Sequence, residues 1–170
     1  MQNSPLYDGR AVANFVLDCC EDGRIDVSNL ALQKIVYFCH VWSLIGLKQG
    51  LVRHKFEAWE HGPVLPYLYR EFKLCERAPI RGRAMRLDVI SGDKKVVEYD
   101  FPQHMHNYLL DIVAFYARVR PSDLVKLTHA PGGPWYKAWN HTGHINPGMK
   151  IDDSSIIEYY SCVPSPFAVQ

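Results

Sequence analysis

Asn29-Leu30-Ala31-Leu32-Gln33-Lys34-Ile35-Val36-Tyr37-Phe38-Cys39-His40-Val41-Trp42, led in by Ser28 and followed by Ser43-Leu44-Ile45-Gly46-Leu47-Lys48, decides the fold. Leu32, Ile35, Val36, Cys39, Trp42 and Ile45 recur at three- and four-residue spacing, which lines them along one helical face. Leu30, Tyr37, Phe38, Val41 and Leu44 carry apolar character almost all the way round. A helix apolar on most sides is one enclosed by several neighbours. The stretch therefore reads as the central helix of a core, capped by Ser28 and ending near Gly46 or Lys48. Gln33 and Lys34 interrupt it, and are expected on its narrow wet side or projecting into an interface.

Outward from this helix the periodicity alternates between helical and extended. Upstream, Asp8 is suited to accept the free amide protons of a first helix. Val12, Phe15, Val16, Cys19 and Cys20 form the stripe of that helix, and Gly23 ends it. Downstream, Phe56-Glu57-Ala58-Trp59 alternates with period two and reads as a short strand. Gly62-Pro63 makes a turn, and Pro66 opens a helix carrying Leu68, Tyr69 and Phe72. Met85, Leu87 and Val89 alternate, Ser91-Gly92-Asp93 supplies a turn, and Val96 to Tyr99 returns, so a small hairpin is expected. Helices follow over about 103–117 and from Pro121 through Leu127. An irregular Ala130-Pro131-Gly132-Gly133-Pro134, a helical turn at Trp135–Trp139 and a last helix over 154–160 capped by Asp153 complete the chain. The expectation is a mainly α, single compact helical domain with a small β-hairpin or short antiparallel sheet. Its core spans about 8–160, and 161–170 is read as a frayed tail.

At 170 residues the chain is long enough for one proper core. No run approaches the ~18 consecutive apolar residues of a membrane span, and the first residues lack the basic and apolar regions of an export signal. Five cysteines, none in a Cys-x-x-Cys, fit reduced thiols in a cytoplasmic protein. A net charge of +1 argues against a dedicated nucleic-acid binder. The charge is uneven, though: residues 70–95 hold eight basic and four acidic side chains, whereas the first thirty are acidic. Two faces of opposite sign would steer a protein partner.

No residue pattern announces catalysis. The eight histidines include His104-x-His106, whose imidazoles would lie about 200° apart on a helix, and no cysteine or carboxylate stands at a matching zinc spacing. Neither a nucleophile elbow nor a phosphate-cradling glycine loop is present. Glu57, Glu60, His61, His129 and Trp135 remain, and a close Glu–His pair could exchange protons in a pocket. The alternative is that Glu57 and His61 satisfy backbone groups at the turn while Trp59 and Trp135 pack on the core. Two further readings stay open: a small-ligand or hydrolytic domain using Glu57, His61 and His129, and a DNA-binding autoregulator using the basic Arg77–Arg86 stretch.

Three segments together resemble a known family: Asn29-Leu30-Ala31-Leu32-Gln33-Lys34-Ile35-Val36-Tyr37-Phe38; Phe56-Glu57-Ala58-Trp59-Glu60-His61-Gly62-Pro63-Val64 with Tyr69-Arg70-Glu71-Phe72; and Leu127-Thr128-His129 with Gly133-Pro134-Trp135. In this order they are similar to the Panacea domain, the SocA-like antitoxin-associated family, over roughly 8–160. His61 and Cys39-His40 depart from the usual family wording. The resemblance implies a non-enzymatic, cytoplasmic antitoxin without cofactor or metal, which binds a cognate toxin protein and can present it to a ClpXP- or Lon-type protease. The partner surface it suggests, together with exposed aromatics and the basic segment, comprises Gln33, Lys34, Glu57, Trp59, His61, Tyr69, Arg70, Arg81, Arg83, Arg86, His129, Trp135 and Tyr136.

Overall fold

A computed structural model describes residues 6–167 of the chain. Helix α1 (Gly9–Asp22) begins at Asp8, whose carboxylate accepts the Arg10 amide at 2.9 Å, and stops at Gly23. Helix α2 (Asn29–Trp42) is capped by Ser28 through Ala31 N. It runs on into a π-helical turn over Ser43–Leu47, closed by Lys48 at φ 56°. Strands β1 (Glu57–Trp59) and β2 (Gly62–Val64) precede α3 (Pro66–Glu71), with Pro66 in its first turn. A second hairpin, β3 (Met85–Leu87) and β4 (Lys94–Val96), leads to α4 (Gln103–Tyr116). Then come α5 (Pro121–Thr128), α6 (Pro134–Trp139), β5 (Met149–Lys150) and α7 (Asp153–Tyr160).

The α2 helix is the hub, touching α1, α3, α4, α5, α7 and β2. Together with its π turn it forms a membrane-length apolar run, but 78% of the most apolar window is buried inside the fold. Burial of that kind marks the core helix of a globule. Phe38 stacks on Tyr116 at 4.2 Å, and Trp42 Nε1 donates to the Tyr116 hydroxyl at 2.7 Å, which fixes α2 against α4. His40 ties α2 to two other segments. Its Nδ1 accepts the Leu51 and Val52 amides at 3.2 and 3.0 Å, so Nε2 carries the proton shared with Asp153 Oδ1 at 2.8 Å. Burial works to raise the Asp153 carboxyl, but the hydrogen bond from His40, helped by Lys55, holds it below the ordinary range. His40→Ala leaves two buried amides without an acceptor and should cost about 2 kcal/mol, read as a lowered midpoint in urea.

Several expectations need correction. The strand at Glu57–Trp59 is the centre of a three-stranded antiparallel sheet ordered β2-β1-β5, with Ala58 opposite both Pro63 and Met149. The two-residue β5 has no alternation to announce it, and Gly62-Pro63, read as a turn, belongs to β2. Asp153 is the first helical residue of α7 and not its cap, which is Asp152. The tail is docked as far as Phe167, whose ring meets Trp42 at 5.7 Å and Tyr108 at 5.9 Å; the expected fraying beyond it falls outside the described residues. Part of the basic segment folds onto the acidic one and so does not stand as a separate charged face. Arg83 binds Asp18 at 2.6 Å and also Glu21, and Arg81 meets Asp26 at 2.9 Å. Arg81 and Arg83 thus have partners within the chain.

Candidate partner-binding groove

Polar residues on α2 build the site. Gln33 Oε1 accepts the Leu65 amide at 3.1 Å, and its Nε2 donates to Asn29 Oδ1 at 3.1 Å. Asn29 Nδ2 then donates to Tyr69 O at 3.0 Å. One turn of α2 therefore clips the link between β2 and α3. Lys34 is 0% exposed, and its Nζ donates to Pro63 O at 3.0 Å. The expectation of a wet side for Gln33 and Lys34 is overturned: both are buried, because the backbone of β2 and of the link after it supplies partners that helical spacing cannot display.

Lys34 has no carboxylate beside it among the described residues. Burial alone pulls its pKa down from 10.5 to about 7. The side chain can come this close to β2 because of Gly62. A methyl group there would lie 2.6 Å from Thr128 Oγ1 and 2.9 Å from Lys34 Cε, and the backbone is at φ +108°. Gly62→Ala should cost about 2 kcal/mol through strain and contact, measurable as a drop in thermal midpoint.

His129 follows α5 and stacks on Trp135 at 3.7 Å. Its Nε2 is buried without a hydrogen-bond partner among the described residues. Burial, then Lys34, then His61 push its pKa below the usual histidine value. Trp135 is itself buried, and its Nε1 donates to Trp59 O at 2.8 Å. Trp59 is half-buried, edge-on to Tyr69 at 5.1 Å, with Nε1 donating to Glu57 Oε2 at 3.0 Å.

A groove of about 760 Å³ opens over Lys34, with Gln33, Trp59, His61 and Tyr69 among its walls. It runs into a second hollow of about 560 Å³ that shares Leu30, His61, Glu76 and Arg77. Five of the expected site residues thus converge: Gln33, Lys34, Trp59, His61 and Tyr69. His129 and Trp135 stand behind the wall. Arg70, Tyr136 and Arg86 are exposed elsewhere, and Arg81 and Arg83 lie in their ion pairs. Glu57 and His61 do not form the proton-exchanging pair considered above, since the Glu57 carboxylate is held by Trp59. Sequence reasoning missed Leu30, Val64, Lys73 and Glu76 in the lining. Of these only Glu76 carries a backbone peculiarity, φ 50°, and nothing in its neighbours forecasts it.

The described residues thus form a helical domain with a buried base beneath an open, largely apolar groove. The family model described as "Antitoxin SocA-like, Panacea domain" matches residues 32–136. The chain is also 38% identical over 156 residues to the Antitoxin SocA of Caulobacter vibrioides (strain NA1000 / CB15N), covering 91% of this chain and 83% of the relative. The chain belongs to the SocA-like antitoxin, Panacea domain family. No solved structure matches it.

Proposed function

We propose that this protein is the antitoxin of a toxin–antitoxin pair, acting in the cytoplasm by non-catalytic, direct binding of a cognate toxin protein. The observation that carries the reading is the 38% identity to an antitoxin along 91% of the chain. The groove supports it by offering an open, aromatic-walled surface, and large aromatics are the side chains that dominate protein interfaces. The family resemblance also motivates an adaptor role, in which the bound toxin is handed to a AAA+ protease.

One experiment separates the possibilities. The neighbouring open reading frame is induced in the presence and absence of this chain, and the tagged chain is pulled down. Growth arrest relieved together with co-purification is the expected result. Relief without a stable complex, lost in a host lacking the ClpX or Lon protease, would assign the action to delivery for degradation. A neighbour that is harmless when induced, and no co-purifying partner, would overturn the antitoxin reading.

A further inference from the structure

We propose that the groove over Lys34 is the toxin seat, and that it takes a carboxylate carried on an apolar segment of the toxin, paired with the Lys34 ammonium. This rests on the antitoxin reading for the identity of the partner, but not for the chemistry of the groove.

The fold leaves Lys34 incomplete. An ammonium group has three protons to donate, and the only hydrogen bond to Nζ among the described residues goes to Pro63 O at 3.0 Å. A buried charge without a counter-ion is costly, and one carbonyl acceptor does not offset it. Behind the wall, His129 also has a buried ring nitrogen with no partner among the described residues. The unmet ammonium of Lys34, which lines the groove, points to an anionic guest.

The walls define what carries the anion. Leu30, Trp59, Val64 and Tyr69 give the groove a mainly apolar lining, so the guest needs apolar surface beside its charge. At the rim Lys73 and Arg77 are matched by Glu60 and Glu76, so the excess positive charge sits at the floor. A single ammonium beneath apolar walls suits one carboxylate flanked by aliphatic or aromatic groups. Once seated, the pair would be shielded from water, where a charge-assisted hydrogen bond is strong.

Protonation links this to pH. The groups that line the groove with Lys34 are His61 and Glu60 from the β1–β2 turn, Tyr69 from α3, and Lys73, Glu76 and Arg77 from the segment after it; Thr128 adjoins it across Gly62, and His129 feels its charge. Carboxylate binding requires the ammonium form, whereas in the free protein the amine releases its proton near pH 7. Affinity should therefore fall by up to about tenfold per pH unit above 7.

The test has two arms. In the first, the full chain with ¹³C-labelled lysine is titrated with 3-phenylpropionate and, separately, with 3-phenylpropanamide, and the Lys34 ε-methylene signal is followed. The acid should shift that signal and raise its titration midpoint by at least one pH unit, and the amide should do neither. Equal responses to both compounds, or none to the acid, would overturn the carboxylate site without touching the antitoxin reading. In the second arm, Lys34→Met is compared with the native chain for toxin binding and growth rescue from pH 6 to pH 9. The variant should keep its circular dichroism, bind the toxin at least 30-fold more weakly at pH 6, and lose the pH dependence. A folded Lys34→Met chain that binds and rescues like the native one would refute the seat while the antitoxin function stands. Failure of the native chain itself to bind the toxin would strike the function and leave the first arm to judge the groove.

Discussion

Ile35→Asp is expected to leave the chain without a cooperative fold, recovered as aggregate or as a species lacking stable helical dichroism. Ile35 is 1% exposed on α2, the helix that every major layer packs against. Replacing it removes a buried aliphatic side chain, with a transfer loss of roughly 2 kcal/mol. It then places a carboxyl among Leu32, Val36, Phe38 and Cys39 on the same buried helix. Ionised, that group has no cation to pair with there; neutralised, it still carries polar atoms that need partners, at roughly 2–7 kcal/mol. The sum approaches or exceeds the 5–15 kcal/mol stability of an ordinary domain, on the order of its lower half at least. Ile35→Val is the control, expected to cost about 1 kcal/mol and remain folded. A soluble Ile35→Asp protein with native dichroism and a sharp unfolding transition would show that α2 is not the hub.

That helix was legible because its evidence is local and redundant: apolar residues on every side leave no other role for it. The helix starts at Asp8 and Ser28, and Pro66 in a first turn, were readable for the same reason, since capping chemistry is written in adjacent residues. What escaped was long-range. Gln33 looks like a wet-side residue because its long-range donor, the Leu65 amide, cannot be recognised from helical spacing, which shows only the acceptor one turn back, Asn29 Oδ1. Asn14 is buried on α1 for a similar reason: it donates to Ala84 O and Val97 O and accepts the Ala84 amide, stapling the second hairpin to the core. The basic segment suggested a free charged face only because sequence does not say that Asp18, Glu21 and Asp26 lie opposite Arg81 and Arg83. For the site, the family-like segments did hold Gln33, Lys34, Trp59, His61 and Tyr69, which meet at the groove. What no segment could show is that the lysine lies buried at its floor.

Lys34→Met should stabilise the isolated protein at pH 6 and lose that advantage as pH rises. The sign follows from protons bound. In the native chain the amine has a pKa of about 7, against 10.5 when unfolded. Between these values the unfolded state holds more protons than the folded one, so native stability increases with pH through that window. Below pH 7 the full penalty of keeping the group buried applies, on the order of 5 kcal/mol from a shift of this size. The methionine variant has no such group and its stability is flat in pH as far as this site is concerned. It does lose the hydrogen bond to Pro63 O, leaving a buried carbonyl unmet at about 1–3 kcal/mol. The two effects oppose each other: the variant should be about 3 kcal/mol more stable than the native chain at pH 6, equal to it at an intermediate alkaline pH, and less stable near pH 10.5. Urea midpoints of both chains at pH 6, 8 and 10 would check this. Parallel curves would mean that Lys34 keeps its proton in the fold, held by an acceptor beyond Pro63 O. A crossing would establish a buried amine whose ammonium form the fold sustains, below about pH 7, only against its own stability.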